Sequence, residues 1–319
     1  MNKRRLLRAV ACTALAAFSF ASHAAWPEGP IKIIVPFGAG GNTDILARMV
    51  AQQLGEELRQ PVIVENKPGA GSMLGSQVAA RSPADGYTLL LGGIATVLND
   101  VTYKKPLIDM RKELVPVSLL ATVPNYLAVN PKLPVSSTKE LVDMLKASPG
   151  KYSCANSGVG TSTYLSCILF RDLAKVDMVL VPYKSGVQAL TDVIGGSATM
   201  VMVNESLPYI RQGQLKGLAV TSAEPSPLTP NLPPVAKTLP GYDVTSWYAI
   251  FAPAGTPDAI VQKVDQMARK VMHSRSAKEK LDSLGAVAGT MDQKQFAVFV
   301  DKELDRWGKI IRPLNLQLD

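Results

Sequence analysis

Histidine and cysteine are scarce in this 319-residue chain, which holds two and three of them. One histidine, His23, and one cysteine, Cys12, fall within the first 24 residues. The remainder keeps only His273, Cys154 and Cys167, too little to build a His/Cys zinc site or a Ser-His-Asp triad. No GxxxxGK[ST] run occurs, so a P-loop is excluded, and no GxSxG elbow marks an α/β-hydrolase. Beyond the N-terminus no apolar run reaches the roughly 18 residues of a membrane span. No Lys/Arg block interleaved with aromatics follows residue 24, which argues against nucleic-acid binding. The chain reads as a protein without metal, cofactor or catalytic centre.

The net charge of +8 is partly a property of the N-terminus, where Lys3, Arg4, Arg5 and Arg8 cluster. An apolar stretch over 9–21 and the small residues Ser22 and Ala24 complete the pattern of a secretory signal peptide, residues 1–24. Cys12 lies too early, and without a leucine three residues before it, to mark a lipoprotein. Secretion out of the cytoplasm is expected. The rest exceeds what one hydrophobic core usually serves, so two domains are expected. In an oxidising compartment Cys154 and Cys167 could pair. Buried free thiols are also common where a strand meets a helix, and the reading leans to unpaired cysteines.

What the chain does have is a glycine loop in a telling place. The apolar run 31–35 reads as a buried strand, then VPFGAGGNTD at 35–44 breaks it and opens an amphipathic helix over 43–59. Asn42 or Thr43 is the expected N-cap, with Asp44 in the first turn. A strand that opens through glycine into a helix leaves backbone N–H groups aimed at one spot, which suits an anion. The bland alternative is a tight turn with no ligand. Short apolar strands and amphipathic helices alternate throughout, which predicts α/β architecture with doubly wound parallel sheets. Extended segments near 124 and 246 read as crossings between a discontinuous first domain, 25–124 with 246–319, and a second, 125–245. A second glycine loop, NSGVGTS at 156–162, opens a helix in that second domain. Ligands in such sheets sit at the carboxyl ends of strands. Both glycine loops, the Gly92-Gly93 pair and the Tyr183-Lys184 turn stand at such ends.

Other motifs have plainer readings beside the functional ones. Gly69, Gly71 and Gly75 imitate a dinucleotide fingerprint but do not form the first βα turn, so helix-start packing is preferred. Asp44 and Glu205 could act as acid and base, although such residues more often cap helices or bond a polar ligand. Lys184 reads as a solvated amine rather than a catalytic one. Tyr183 and Trp247 either wall a ligand or fill core. The stripe Phe296, Phe299, Val300, Leu304, Trp307 and Ile311 reads as core.

Taken together, Trp26-Pro27, VPFGAGGNTD, VENKPGAG at 64–71, ADGYTLLLG at 84–92, NSGVGTS, VPYKSG at 181–186, ALTDVIGG at 189–196 and FAPAGTP at 251–257 form a recognisable set. The chain resembles the Bug receptors, the extracytoplasmic substrate-binding proteins of tripartite tricarboxylate transporters, nearly end to end. The resemblance implies two domains of periplasmic-binding-protein (Venus-flytrap) type that close on a small organic carboxylate in the cleft between them. It implies delivery to the membrane subunits of a transporter by a monomeric receptor. The first domain would contribute Phe37, Ala39, Gly40, Gly41, Asn42 and Asp44, supported by Gly92 and Thr96. The second would contribute Ser157, Gly158, Gly160, Thr161, Tyr183 and Asn204. Two positions depart from the family's pattern. Thr96 stands where a histidine is usual, and Asn204 stands near the usual aspartate in a shortened loop. The competing readings are a ligand sensor that docks on a signalling protein and a secreted enzyme on the same scaffold.

Overall fold

The computed structural model describes residues 26–314. The expected signal peptide lies outside the described residues. Among the described residues eleven strands form two sheets. The first sheet has the order β11-β4-β10-β3-β1-β2, with β1 at Ile31–Val35, β2 at Val62–Asn66, β3 at Thr88–Gly93, β4 at Leu114–Pro124, β10 at Thr245–Pro253 and β11 at Val287–Ala288. The second has the order β7-β6-β8-β5-β9, with β5 at Tyr126–Val129, β6 at Ser153–Asn156, β7 at Val179–Pro182, β8 at Met200–Val203 and β9 at Lys216–Val220.

The strands of β1 show why the sheet is covered on both faces. Ile31, Ile33 and Val35 enter one buried cluster with Leu46 and Val50, while Ile34 enters another with Leu90, Trp247 and Phe296. Only Lys32 of this strand is exposed. A strand buried on both faces needs helices on both sides. One side receives α1, Asn42–Leu58, and a long C-terminal helix packs on the other. That C-terminal helix (Gln293–Ile311) buries Phe296, Val300, Leu304, Trp307 and Ile311, the stripe read from the sequence as core. Trp247 meets Phe296 and Phe299 edge-on at 5.8 and 5.5 Å.

The sheets are mixed rather than wholly parallel. β1 pairs parallel with β2 and β3, and β6 pairs parallel with β7 and β8. The strands that carry the chain between the two sheets, β4, β5 and β10, pair antiparallel. The reason is connectivity: β4 runs out of the first sheet and β10 runs back, so these neighbours point in opposite directions. They lie side by side there, with Thr245 opposite Pro124 and Ser246 opposite Val123. Just beyond, Asn125 is fully buried and holds the junction. Its N–H donates to Thr221 Oγ1 at 2.8 Å, and its side-chain amide donates to Ser166 Oγ at 3.1 Å.

Cys154 and Cys167 form a disulfide, contrary to the preference for free thiols. Cys154 lies on β6 and Cys167 on the helix that follows, Ser162–Ala174, and both are fully buried. The helix packs directly on its own strand, which brings the two Cα atoms to 6.1 Å, within bridging range. The bond therefore closes a loop that contains the whole NSGVGTS segment.

Candidate functional site

The remaining helices are α2 at Met73–Ala80, α3 at Ile94–Thr102, α4 at Met110–Glu113, α5 at Thr138–Ala147, α6 at Ser162–Ala174, α7 at Gly186–Gly195, α8 at Ser206–Arg211, α9 at Asp258–Met272, α10 at Arg275–Leu284 and the C-terminal α11. A cavity of about 310 Å³ opens where residues of both sheets converge. Four helices of eight residues or more begin on its wall: α1 at Asn42, α3 at Ile94, α6 at Ser162 and α7 at Gly186. Each adds the partial positive charge of its N-terminus.

The two halves of the wall are built differently. On the first, α1 is preceded by Gly41, in extended backbone, and no side chain caps it. The sequence-based cap, Asn42 or Thr43, is displaced by one or two residues. Asn42 is the first helical residue, and both it and Thr43 line the cavity. The first intrahelical bond runs from Ile45 N–H to the Gly41 carbonyl at 2.9 Å. Residues 42–44 thus carry N–H groups with no acceptor inside the helix. α3 repeats the device, with Gly93 as an uncapped extended residue before Ile94. Gly93 has to be glycine because a Cβ there would collide with the Trp247 carbonyl.

On the second half the helix starts are capped by side chains. Thr161 Oγ1 accepts from Tyr164 N–H at 3.3 Å and Ser185 Oγ accepts from Gln188 N–H at 3.3 Å. The glycine loop between β6 and α6 bonds to itself. Ser157 N–H donates to Thr163 Oγ1 at 2.9 Å, Gly158 N–H donates to Asn156 Oδ1 at 3.1 Å, and Thr161 Oγ1 donates to the Gly158 carbonyl at 2.6 Å. This half therefore shows the cavity mainly hydroxyls and side-chain ends: Ser157, Thr161, Thr163, Lys184, Asn204 and Glu205.

Of the residues expected from sequence, Phe37, Gly41, Asn42, Ser157, Thr161 and Asn204 line the cavity. The others stand off its wall. Ala39 is exposed. Asp44 is 3% exposed and turned beneath the loop, where Gly40 N–H donates to its Oδ2 at 2.9 Å and Asn66 Nδ2 donates to its Oδ1 at 3.0 Å. Arg48 Nε adds a bond at 3.0 Å. The Arg48 bond, against burial and with help from Gly40 and Asn66, holds the Asp44 carboxyl down at about 2. Gly40 itself takes a left-handed φ of 86°. Thr96 is fully buried against Gly92, where a Cβ would lie 2.7 Å from Thr96 Oγ1. Gly158 and Gly160 have φ of 109° and 80° and shape the second loop from behind. Tyr183 donates its hydroxyl to Asp192 Oδ2 at 2.5 Å, and burial, helped by Asp192, pushes that hydroxyl up to about 12. Tyr183 N–H also donates to the Asn156 carbonyl at 2.9 Å, so this residue braces the loop.

Tyr248, Gly93, Ile94, Ser246 and Thr163 line the cavity without having been singled out as site residues. The signal for Tyr248 was there in strand alternation: Trp247 packs into the core, so its neighbour on β10 faces the other way. Burial pushes the Tyr248 hydroxyl up to about 12, Glu205's charge adds to the rise, and the amides of Asn42 and Asn204 oppose it. Ser246 Oγ lies 2.5 Å from Ser162 Oγ and ties the returning strand to the start of α6. Lys184 and Glu205 are the charged side chains on this wall, and no arginine is present. Among the described residues no group of three or more His, Cys, Asp or Glu side chains is arranged to hold a metal, and no helix is long and apolar enough to cross a membrane.

Comparison with known proteins gives concordant matches. Residues 46–316 match the family model described as the tripartite tricarboxylate transporter family receptor. BugT of Bordetella pertussis is 33% identical over 325 residues, covering 100% of both chains. A solved R. palustris protein with adipate is 32% identical, with a TM-score of 0.80 over 89% of this chain and 97% of that one. MatC from Rhodopseudomonas palustris with bound malate is 28% identical, with a TM-score of 0.78 over 90% of this chain and 100% of that one.

Proposed function

This chain belongs to the tripartite tricarboxylate transporter receptor family, and on that premise we propose that its cleft captures a small organic carboxylate and delivers it to transporter subunits in the membrane. The observation that carries the reading is the convergence of four helix N-termini on one cavity that holds no arginine. Backbone N–H groups at the starts of α1 and α3 have no side-chain cap and suit a carboxylate. Phe37 would wall the ligand, and Ser157, Thr161 and Asn204 would bond it from the other side. Relatives solved with adipate and malate support a carboxylate as the ligand class.

In this reading the bodies are 25–124 with 246–319, and 125–245. They hinge where β4 and β10 run side by side, and closure would bring the two halves of the wall onto the ligand. Asp44, Thr96, Gly92, Gly158, Gly160 and Tyr183 would hold the loops in shape rather than touch ligand. The basic, apolar N-terminus and the Cys154–Cys167 bond both suit a periplasmic protein. It would act as a monomeric receptor and not as an enzyme.

A thermal-shift screen of mono-, di- and tricarboxylates tests this, joined to mass spectrometry of whatever co-purifies. Ligand at a hundred times its Kd stabilises the folded state by about 2.7 kcal/mol. At least one small carboxylate is expected to raise the melting temperature in a concentration-dependent way. No shift with any acid, together with no small acid in the purified protein, would overturn the reading.

A further inference from the structure

The proposed carboxylate site contains a carboxylate of its own. Glu205 follows β8 and lies over the first residue of α7: a Cβ built on Gly186 would sit 2.7 Å from Glu205 Oε2 and 3.0 Å from Oε1. Only glycine at 186 lets the acid lie there. The side chain is exposed on the cavity wall, which it shares with Tyr248, Asn204 and Ser185. No cation meets it. Lys184, on the same wall, is also exposed and forms no ion pair with it. Desolvation within the cleft pushes the Glu205 carboxyl above its usual range.

An ionised carboxylate in a cleft that receives an anion repels the ligand unless the ligand brings a positive charge to the same place. The two halves of the wall separate these demands in space. The bare N–H groups of α1 and α3 lie on one half, and Glu205, with Asn204 beside it, lies on the other. Tyr248 contributes a neutral hydroxyl between them. We infer that this receptor takes carboxylates that also carry a cationic nitrogen, with the carboxylate on the α1 and α3 N-termini and the ammonium group on Glu205. The inference rests on the receptor reading above and adds the ligand's second charge.

The test is titration calorimetry at pH 8 on pairs matched in skeleton: succinate with aspartate, glutarate with glutamate, adipate with 2-aminoadipate. The wild type is expected to bind the amino member of the best-fitting pair at least tenfold tighter. In Glu205→Gln that preference should vanish, because the amino acid weakens about tenfold and the plain diacid tightens. The melting temperature of the ligand-free variant checks that it is folded, and the wild-type comparison stands without any variant. If plain diacids bind as well as or better than their amino partners, the assignment of Glu205 is overturned while the receptor reading survives. If no carboxylate of any kind binds, the receptor reading fails and takes this inference with it.

Discussion

The two halves of the cleft use opposite solutions to the same problem of a helix start. In the first half Gly41 and Gly93 precede α1 and α3 and leave the first-turn N–H groups uncapped. In the second half Thr161 and Ser185 cap α6 and α7, and the loop over 156–161 spends its N–H groups on Asn156 and Thr163. A bare N-terminus holds any carboxylate, because backbone carries no side-chain identity. A wall of hydroxyls, Asn204 and Glu205 is different chemistry, able to tell one carboxylate from another. On the proposed receptor reading, capture falls to the first half and discrimination to the second.

The largest effect expected is on capture. Gly41→Val puts a branched side chain on the cavity wall beside the bare N–H groups, in space that is open in the structure. Loss of one or two charge-assisted bonds, about 3 kcal/mol or roughly a hundredfold in Kd, should follow, with the same loss for every carboxylate that binds. Calorimetry on three unlike acids checks it, and selective loss of one acid would break the division. Next is the second half, where Cys154→Ser with Cys167→Ser opens the loop of 13-residue separation. Chemical denaturation should show a loss of about 3 kcal/mol, with weakened discrimination between ligands at constant binding to the first half.

The smallest effect concerns Asp44, which holds the first loop from below. Its folded value near 2 lies under the ordinary 3.8, so its contribution is complete above about pH 4 and is lost as pH falls through 2. Arg48, its main partner, is 54% exposed, so solvent screening limits the contribution to about 1 kcal/mol. Urea unfolding from pH 5 to pH 2 should lose that much in the wild type and not in Asp44→Asn.

Much of this architecture is legible in the amino-acid sequence because periodicity is local. The β1 strand, the α1 stripe and both glycine loops follow from residues near one another in the chain. What escaped depends on three-dimensional neighbours. The α1 cap moved from Asn42 to Gly41 because cap position is decided by backbone angles at a single residue, and that shift is what leaves Asn42 on the cavity wall. Cys154 and Cys167 pair because α6 folds onto its own strand, a distance no spacing rule contains. Asp44, Thr96 and Tyr183 belong to the right loops but turn behind them, toward Arg48, Gly92 and Asp192. Tyr248 comes from a strand some two hundred residues away from Phe37 and was hidden beside Trp247.

The division of work between the halves is tested most directly by following backbone amide resonances as the tightest carboxylate of the screen is titrated in. The N–H signals of Asn42, Thr43 and Ile94 should move downfield together and saturate with the calorimetric Kd, while those of Ser157 and Gly158, already bonded within their loop, move little. Silence at 42, 43 and 94 with large shifts at 157 and 158 at full saturation would contradict capture by the uncapped helices.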